Sequence, residues 1–97
     1  MSGGLLLDTA FVQALLNRND QYHAKAKEYW PRVEAAPLVV ITEAVLLEIG
    51  NALSSINRDA AAKFIDKCYT GITQNLRVVP LTTELIKRSL ELYSNRQ

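Results

Sequence analysis

Two acidic residues stand where an apolar run gives way to a helix-like pattern. Asp8 directly follows Leu5, Leu6 and Leu7 and precedes Thr9, while Glu48 interrupts the apolar stretch of Leu46, Leu47 and Ile49, with Asn51 three positions further on. A carboxylate on the turn from a buried run into a helix is where an acidic metal ligand would be built. It is equally where an ordinary helix N-cap sits, and for Asp8 the spacing alone favours the cap. An acid inside an apolar helical segment needs a partner once it is shielded from water, and a metal ion or the Asn51 amide would each serve Glu48. The solvated edge of an amphipathic helix is the plainer alternative. Glu43 is accounted for by the favourable position of an acid in a helix's first turn. Its offset of about 140° from Glu48, five residues at about 100° each, argues against joint ligation. Other reactive side chains read as structural. His23 stands near a helix start with no Ser or Cys nucleophile pattern, Tyr29 and Trp30 suit core or interface anchors better than a base-stacking platform, and Cys68 suits a small buried hydrophobe.

The elements that must position these groups follow from periodicity. Leu5 to Leu7 fit a short strand buried on both faces, and Asp8 and Thr9 then start a helix carrying Phe11, Val12, Leu15 and Leu16 at helical spacing as far as Asn17. Asn19 and Asp20 restart the pattern, so that Tyr22, Ala26, Tyr29 and Val33 share the inner face of a second helix, with Pro31 expected to kink or shorten it and Pro37 to close it. Leu38, Val39, Val40 and Ile41 make the clearest strand. Thr42 caps a third helix with Val45, Leu46, Ile49, Ala52, Leu53 and Ile56 on one face. Asn57 to Asp59 separates it from a fourth that buries Ala61, Phe64, Ile65, Cys68 and Ile72. Leu76 to Leu81 reads as a third strand with Pro80 where it leaves the sheet, and Thr82 or Thr83 caps a last helix with Leu85, Ile86, Leu90 and Tyr93 inward. The order strand, two helices, strand, two helices, strand, helix implies parallel strands with right-handed crossovers and helices on both faces. Sheets of this kind bind ligands beyond the carboxyl ends of their strands, near a reversal of strand order. Asp8 with Thr9, Thr42 with Glu43 and Glu48, and Thr82 to Glu84 all follow strands, and Asp8 and Glu48 are expected to meet there.

Ninety-seven residues, 48% hydrophobic and 22% charged, suit one globular domain and exclude a disordered chain. A net charge of +1 without a basic cluster gives no electrostatic footprint for or against nucleic acid. The single cysteine forms no internal disulfide and has no metal-ligand neighbour, which suits a reducing compartment, with the cytoplasm expected. Met1 to Leu7 lack the basic start and long apolar run of a signal peptide, and no apolar stretch approaches the roughly 18 residues that span a bilayer, so neither secretion nor membrane insertion is expected.

Leu5-Leu6-Leu7-Asp8-Thr9-Ala10-Phe11, followed by Ala14-Leu15-Leu16-Asn17, resembles the opening of PIN domains, nucleases that include the toxins of bacterial VapBC toxin–antitoxin pairs. Ile41-Thr42-Glu43-Ala44-Val45-Leu46-Leu47-Glu48-Ile49-Gly50-Asn51-Ala52-Leu53 resembles that family's second signature, and Val78-Val79-Pro80-Leu81 its third strand. Each motif is loose, but order and spacing agree from Leu5 to about Tyr93.

The resemblance implies a three-layer α/β fold, with residues 1–97 forming the N-terminal portion of the family domain. It implies that Asp8 and Glu48 are ligands of Mg²⁺ or Mn²⁺, that Thr9 and Asn51 orient ligands, water or substrate, that the substrate is RNA, and that an antitoxin protein is a partner. Family members continue after the fifth helix with an acidic segment, commonly an Asp and then Asp-Cys-x-Ser, whereas this chain ends at Tyr93-Ser94-Asn95-Arg96-Gln97. The expectation is therefore a domain lacking the family's last strands, a weakly held metal, little or no ribonuclease activity for the chain on its own, and an exposed edge that a second copy covers in a homodimer. Two rival readings go with it: a catalytically inactive PIN-like module that binds a partner protein, and an unrelated small α/β protein in which Asp8 is a cap and Glu48 a surface acid.

Overall fold

The computed structural model describes residues 4–71 and 75–94. Strand β1 (Gly4–Leu6) leads through helices α1 (Thr9–Leu16) and α2 (His23–Ala35) to β2 (Leu38–Thr42). Helices α3 (Glu43–Leu53) and α4 (Arg58–Thr70) lead to β3 (Leu76–Val79), and α5 (Thr83–Ser94) follows. The strands form one parallel sheet in the order β1-β2-β3. This is the short parallel sheet flanked by helices that the periodicity predicts. Leu5 pairs with Val39 and Val39 with Leu76, while the Leu7 N–H prolongs the first ladder by donating to the Val40 carbonyl at 2.9 Å.

Side-chain caps explain where four of the helices begin. The Asp8 carboxylate accepts the Phe11 N–H at 2.8 Å, Thr42 Oγ1 that of Val45 at 3.2 Å, Asn57 Oδ1 that of Ala60 at 3.2 Å, and Thr82 Oγ1 that of Leu85 at 3.1 Å. Each satisfies one donor of a first turn and contributes about 1 kcal/mol. Helix α2 starts differently: the Asp20 carboxylate takes the Tyr22 N–H at 2.8 Å, and Tyr22 itself supplies no cap. Pro31 does not break α2, which runs on to Ala35. It is exposed, where water can take the place of its missing donor.

The core is built on one face of the sheet. Val39 and Ile41 are fully buried there beneath Val12, Val33, Ile49 and Leu53, each worth about 1.5–3 kcal/mol. Helix α1 packs against α2 and α3, and α3 against α4. On the opposite face Leu6 is 69% and Leu38 42% exposed. The expectation of strands buried on both sides is thus not met among the described residues. The strand order advances twice in the same direction, and right-handed crossovers then lay all four connecting helices on the same face. Among the described helices, α5 alone is left for the other. Its Leu85, Ile86 and Leu90, predicted to point inward, are exposed, as are Tyr22 and Tyr29 of the predicted inner face of α2 and Ile56 beyond α3. Ile72 and the Tyr93 side chain lie outside the described residues.

Candidate active site

Asp8 and Thr9 leave the carboxyl end of β1, and Glu48 stands on the second turn of α3 after β2. Because the two strands are parallel neighbours, the helices leaving them pack side by side, and this contact brings Thr9 to Glu48 across 39 positions of sequence. The Thr9 hydroxyl donates to Glu48 Oε1 at 2.6 Å. Asp8 precedes Thr9, so both acids follow the carboxyl ends of neighbouring strands. No reversal of strand order occurs among the described strands, and the site lies between adjacent strands that run on in sequence order. Asn51, one turn further along α3, is exposed at about 60° from Glu48 around the helix. Its amide joins no hydrogen bond among the described residues, and its carbonyl accepts the Ser54 hydroxyl at 3.0 Å.

Both carboxylates are accessible to water, and each has one oxygen engaged. Asp8 at the N-terminus of α1 is stabilised by the helix dipole as well as by the amide it accepts. The short bond to Thr9 is of the charge-assisted kind and holds the Glu48 carboxylate towards α1. Asp8 Oδ2 and Glu48 Oε2 keep their lone pairs. Hard oxygens of this type suit Mg²⁺ or Mn²⁺. The set is small, because no group of three or more His, Cys, Asp or Glu placed to hold a metal occurs among the described residues.

Glu43 turns away from this pair, as its angular offset requires. Its carboxylate accepts the Tyr69 hydroxyl of α4 at 2.6 Å and the Leu81 N–H after β3 at 2.9 Å. These two bonds hold its pKa below the ordinary glutamate value, the Tyr69 bond most, and that same Glu43–Tyr69 bond pushes the Tyr69 hydroxyl up. First-turn placement explains the acid's helix position but hides this role, because the partners lie 26 and 38 residues away. The third group, Thr82 to Glu84, supplies the α5 cap and does not join the pair. His23 Nδ1 lies 2.8 Å from the Ala14 carbonyl and ties α2 to α1, and Cys68 is buried, its thiol pushed up to about 11 by burial.

Comparison with curated protein sequences returns no match. Among solved structures, the crystal structure of VapC20 of Mycobacterium tuberculosis, a sarcin-ricin loop cleaving toxin, is similar with a TM-score of 0.72 and 24% sequence identity, covering 98% of this chain and 69% of that one. The PIN domain profile matches residues 5–97, from the first strand through the acids and the last helix. On that match, which spans nearly all of its length, the chain belongs to the PIN domain family.

Proposed function

We propose that the chain serves as a metal-dependent ribonuclease of the PIN type, the toxin of a toxin–antitoxin pair, with Asp8 and Glu48 holding Mg²⁺ or Mn²⁺. The observation that carries this reading is the Thr9–Glu48 hydrogen bond, which ties Glu48 to the residue next to Asp8 beyond the carboxyl ends of adjacent parallel strands. The ion, when bound, would polarise the phosphodiester and lower the pKa of a water. The chain's own residues have simpler tasks. Asp8 and Glu48 supply anionic oxygen, the Thr9 hydroxyl fixes the Glu48 carboxylate in one orientation, and Asn51 offers an unengaged amide to substrate or water. Family membership and the toxin fold of the similar structure support RNA as substrate and an antitoxin protein as partner. A reducing cytoplasm suits the buried, unpaired Cys68. No helix of the described residues is long and apolar enough to cross a membrane.

One observation favours a second reading, a catalytically inactive PIN-like module that binds protein. The uncovered sheet face and the apolar side of α5 together offer Leu6, Leu38, Leu85 and Leu90 to a partner or a second copy. An assay on single-stranded RNA separates the two. The nuclease reading expects slow cleavage that requires millimolar Mg²⁺ or Mn²⁺ and falls to the metal-free background in Asp8→Asn or Glu48→Gln. Absence of cleavage at every metal concentration supports the binding module, and cleavage indifferent to both substitutions removes Asp8 and Glu48 from the site.

A further inference from the structure

Beside Asp8, between α1 and α2, lies an open cleft of about 410 Å³ lined by Phe11, Tyr22, Lys25, Ala26 and Tyr29 as well as by Asp8 itself. That volume is in the range of small-molecule sites. Its character departs from the core reading of this face: Tyr22 is 60% and Tyr29 42% exposed, whereas Ala26 at the base is buried. The Tyr29 ring is held in place, meeting Phe11 edge to face at 6.0 Å between centroids and lying under the Arg32 guanidinium at 5.5 Å. The Tyr22 ring has no aromatic or cationic partner, and its hydroxyl makes no hydrogen bond, among the described residues. Lys25, on the next turn of α2, forms no ion pair there.

We infer that this cleft is a nucleobase subsite, in which an unpaired base of single-stranded RNA next to the scissile phosphate stacks on Tyr22 while Lys25 meets the backbone phosphate. An aromatic face, a lysine and an apolar floor are what a single-stranded nucleotide requires, since every base offers a π-face and every linkage a charge. Duplex RNA keeps its bases stacked and does not fill such a cleft. The inference rests on the nuclease reading for the position of the scissile phosphate, because Asp8 lines both the cleft and the acid pair. It deepens that reading by assigning Tyr22 as a stacking residue and Lys25 as a phosphate contact for that substrate.

The test is binding without cleavage, on the full chain in EDTA, using a 2′-O-methyl RNA hexanucleotide and the same hexanucleotide with an abasic central position. Amide shifts followed by NMR are expected at Tyr22, Lys25 and Tyr29. Tyr22→Ala should weaken the intact oligonucleotide about tenfold, as loss of one base stack does, and Tyr22→Phe should retain it. The abasic oligonucleotide should bind about as weakly as the intact one binds Tyr22→Ala, and be indifferent to that substitution. Equal affinities of the two oligonucleotides, or shifts confined to Lys63 and Lys67 on α4, would overturn the inference, as would an unchanged affinity in Tyr22→Ala. A peptide-binding role for the cleft would give this last result. Because no metal is used, a chain that binds as described yet cleaves nothing sinks the nuclease reading and leaves the subsite standing. Cleavage that depends on Asp8 but ignores Tyr22 does the reverse.

Discussion

At the residue scale, the two readings of Asp8 prove compatible. One oxygen caps α1 and the other is free, so the spacing that favours a cap does not remove the residue from the site. The substitutions Asp8→Asn and Asp8→Ala separate the roles. Asparagine caps as well as aspartate, so Asp8→Asn should unfold in urea within about 0.5 kcal/mol of the parent, whereas Asp8→Ala should lose about 1 kcal/mol; both should lose metal affinity. Equal destabilisation by both would place the stabilising effect in the charge and not in the cap. Glu43 shows what spacing leaves hidden, since its two partners lie on elements that only the fold brings near. Its depressed pKa has a sign that can be worked through. The Glu43 bonds contribute stability above the unfolded-state value of about 4.3, and this is lost as pH falls through the lower folded-state value. Urea midpoints of the parent and Glu43→Gln should therefore differ at pH 7 and converge as pH falls through the folded-state value. A constant difference over that range would show that the carboxylate's charge has no part in joining α3 to Leu81.

At the element scale, helix starts and strand runs were legible because their signals are local: Thr42, Asn57 and Thr82 cap the helices that follow them, and the β-branched run at Leu38–Ile41 is the central strand. Burial was less legible. An apolar stripe records that a face can be covered, and for α5 and for Leu6 and Leu38 no neighbouring element of the described chain covers it. Tyr22 and Tyr29 fit the helical period equally well yet line a cleft, because the period carries no information on how closely the next helix approaches. Where α4 ends, Gly71 takes φ +91°, a left-handed cap with open space around it. Gly71→Ala therefore meets no clash and should destabilise through backbone conformation alone, by about 1 kcal/mol in urea unfolding. A neutral result would mean that the chain ends α4 in another way.

At the scale of the whole molecule, a one-sided core leaves apolar surface on the far face of the sheet and on α5, and closed homodimers are the commonest way to cover such surface. Sedimentation equilibrium is expected to give the mass of a dimer, with Leu90→Glu shifting it towards monomer; a well-folded monomer at high concentration would remove the homodimer. The shared acid site is the claim on which function depends, and Mn²⁺ tests it without reference to turnover. Titrated into the ¹⁵N-labelled chain, the ion should broaden the amides of Asp8, Thr9, Glu48 and Asn51 first, and the broadening should disappear from this group in Asp8→Asn and in Glu48→Gln. Broadening centred on other acids, such as Asp59 or Asp66 of α4, or a pattern unchanged by both substitutions, would contradict a metal site built from Asp8 and Glu48.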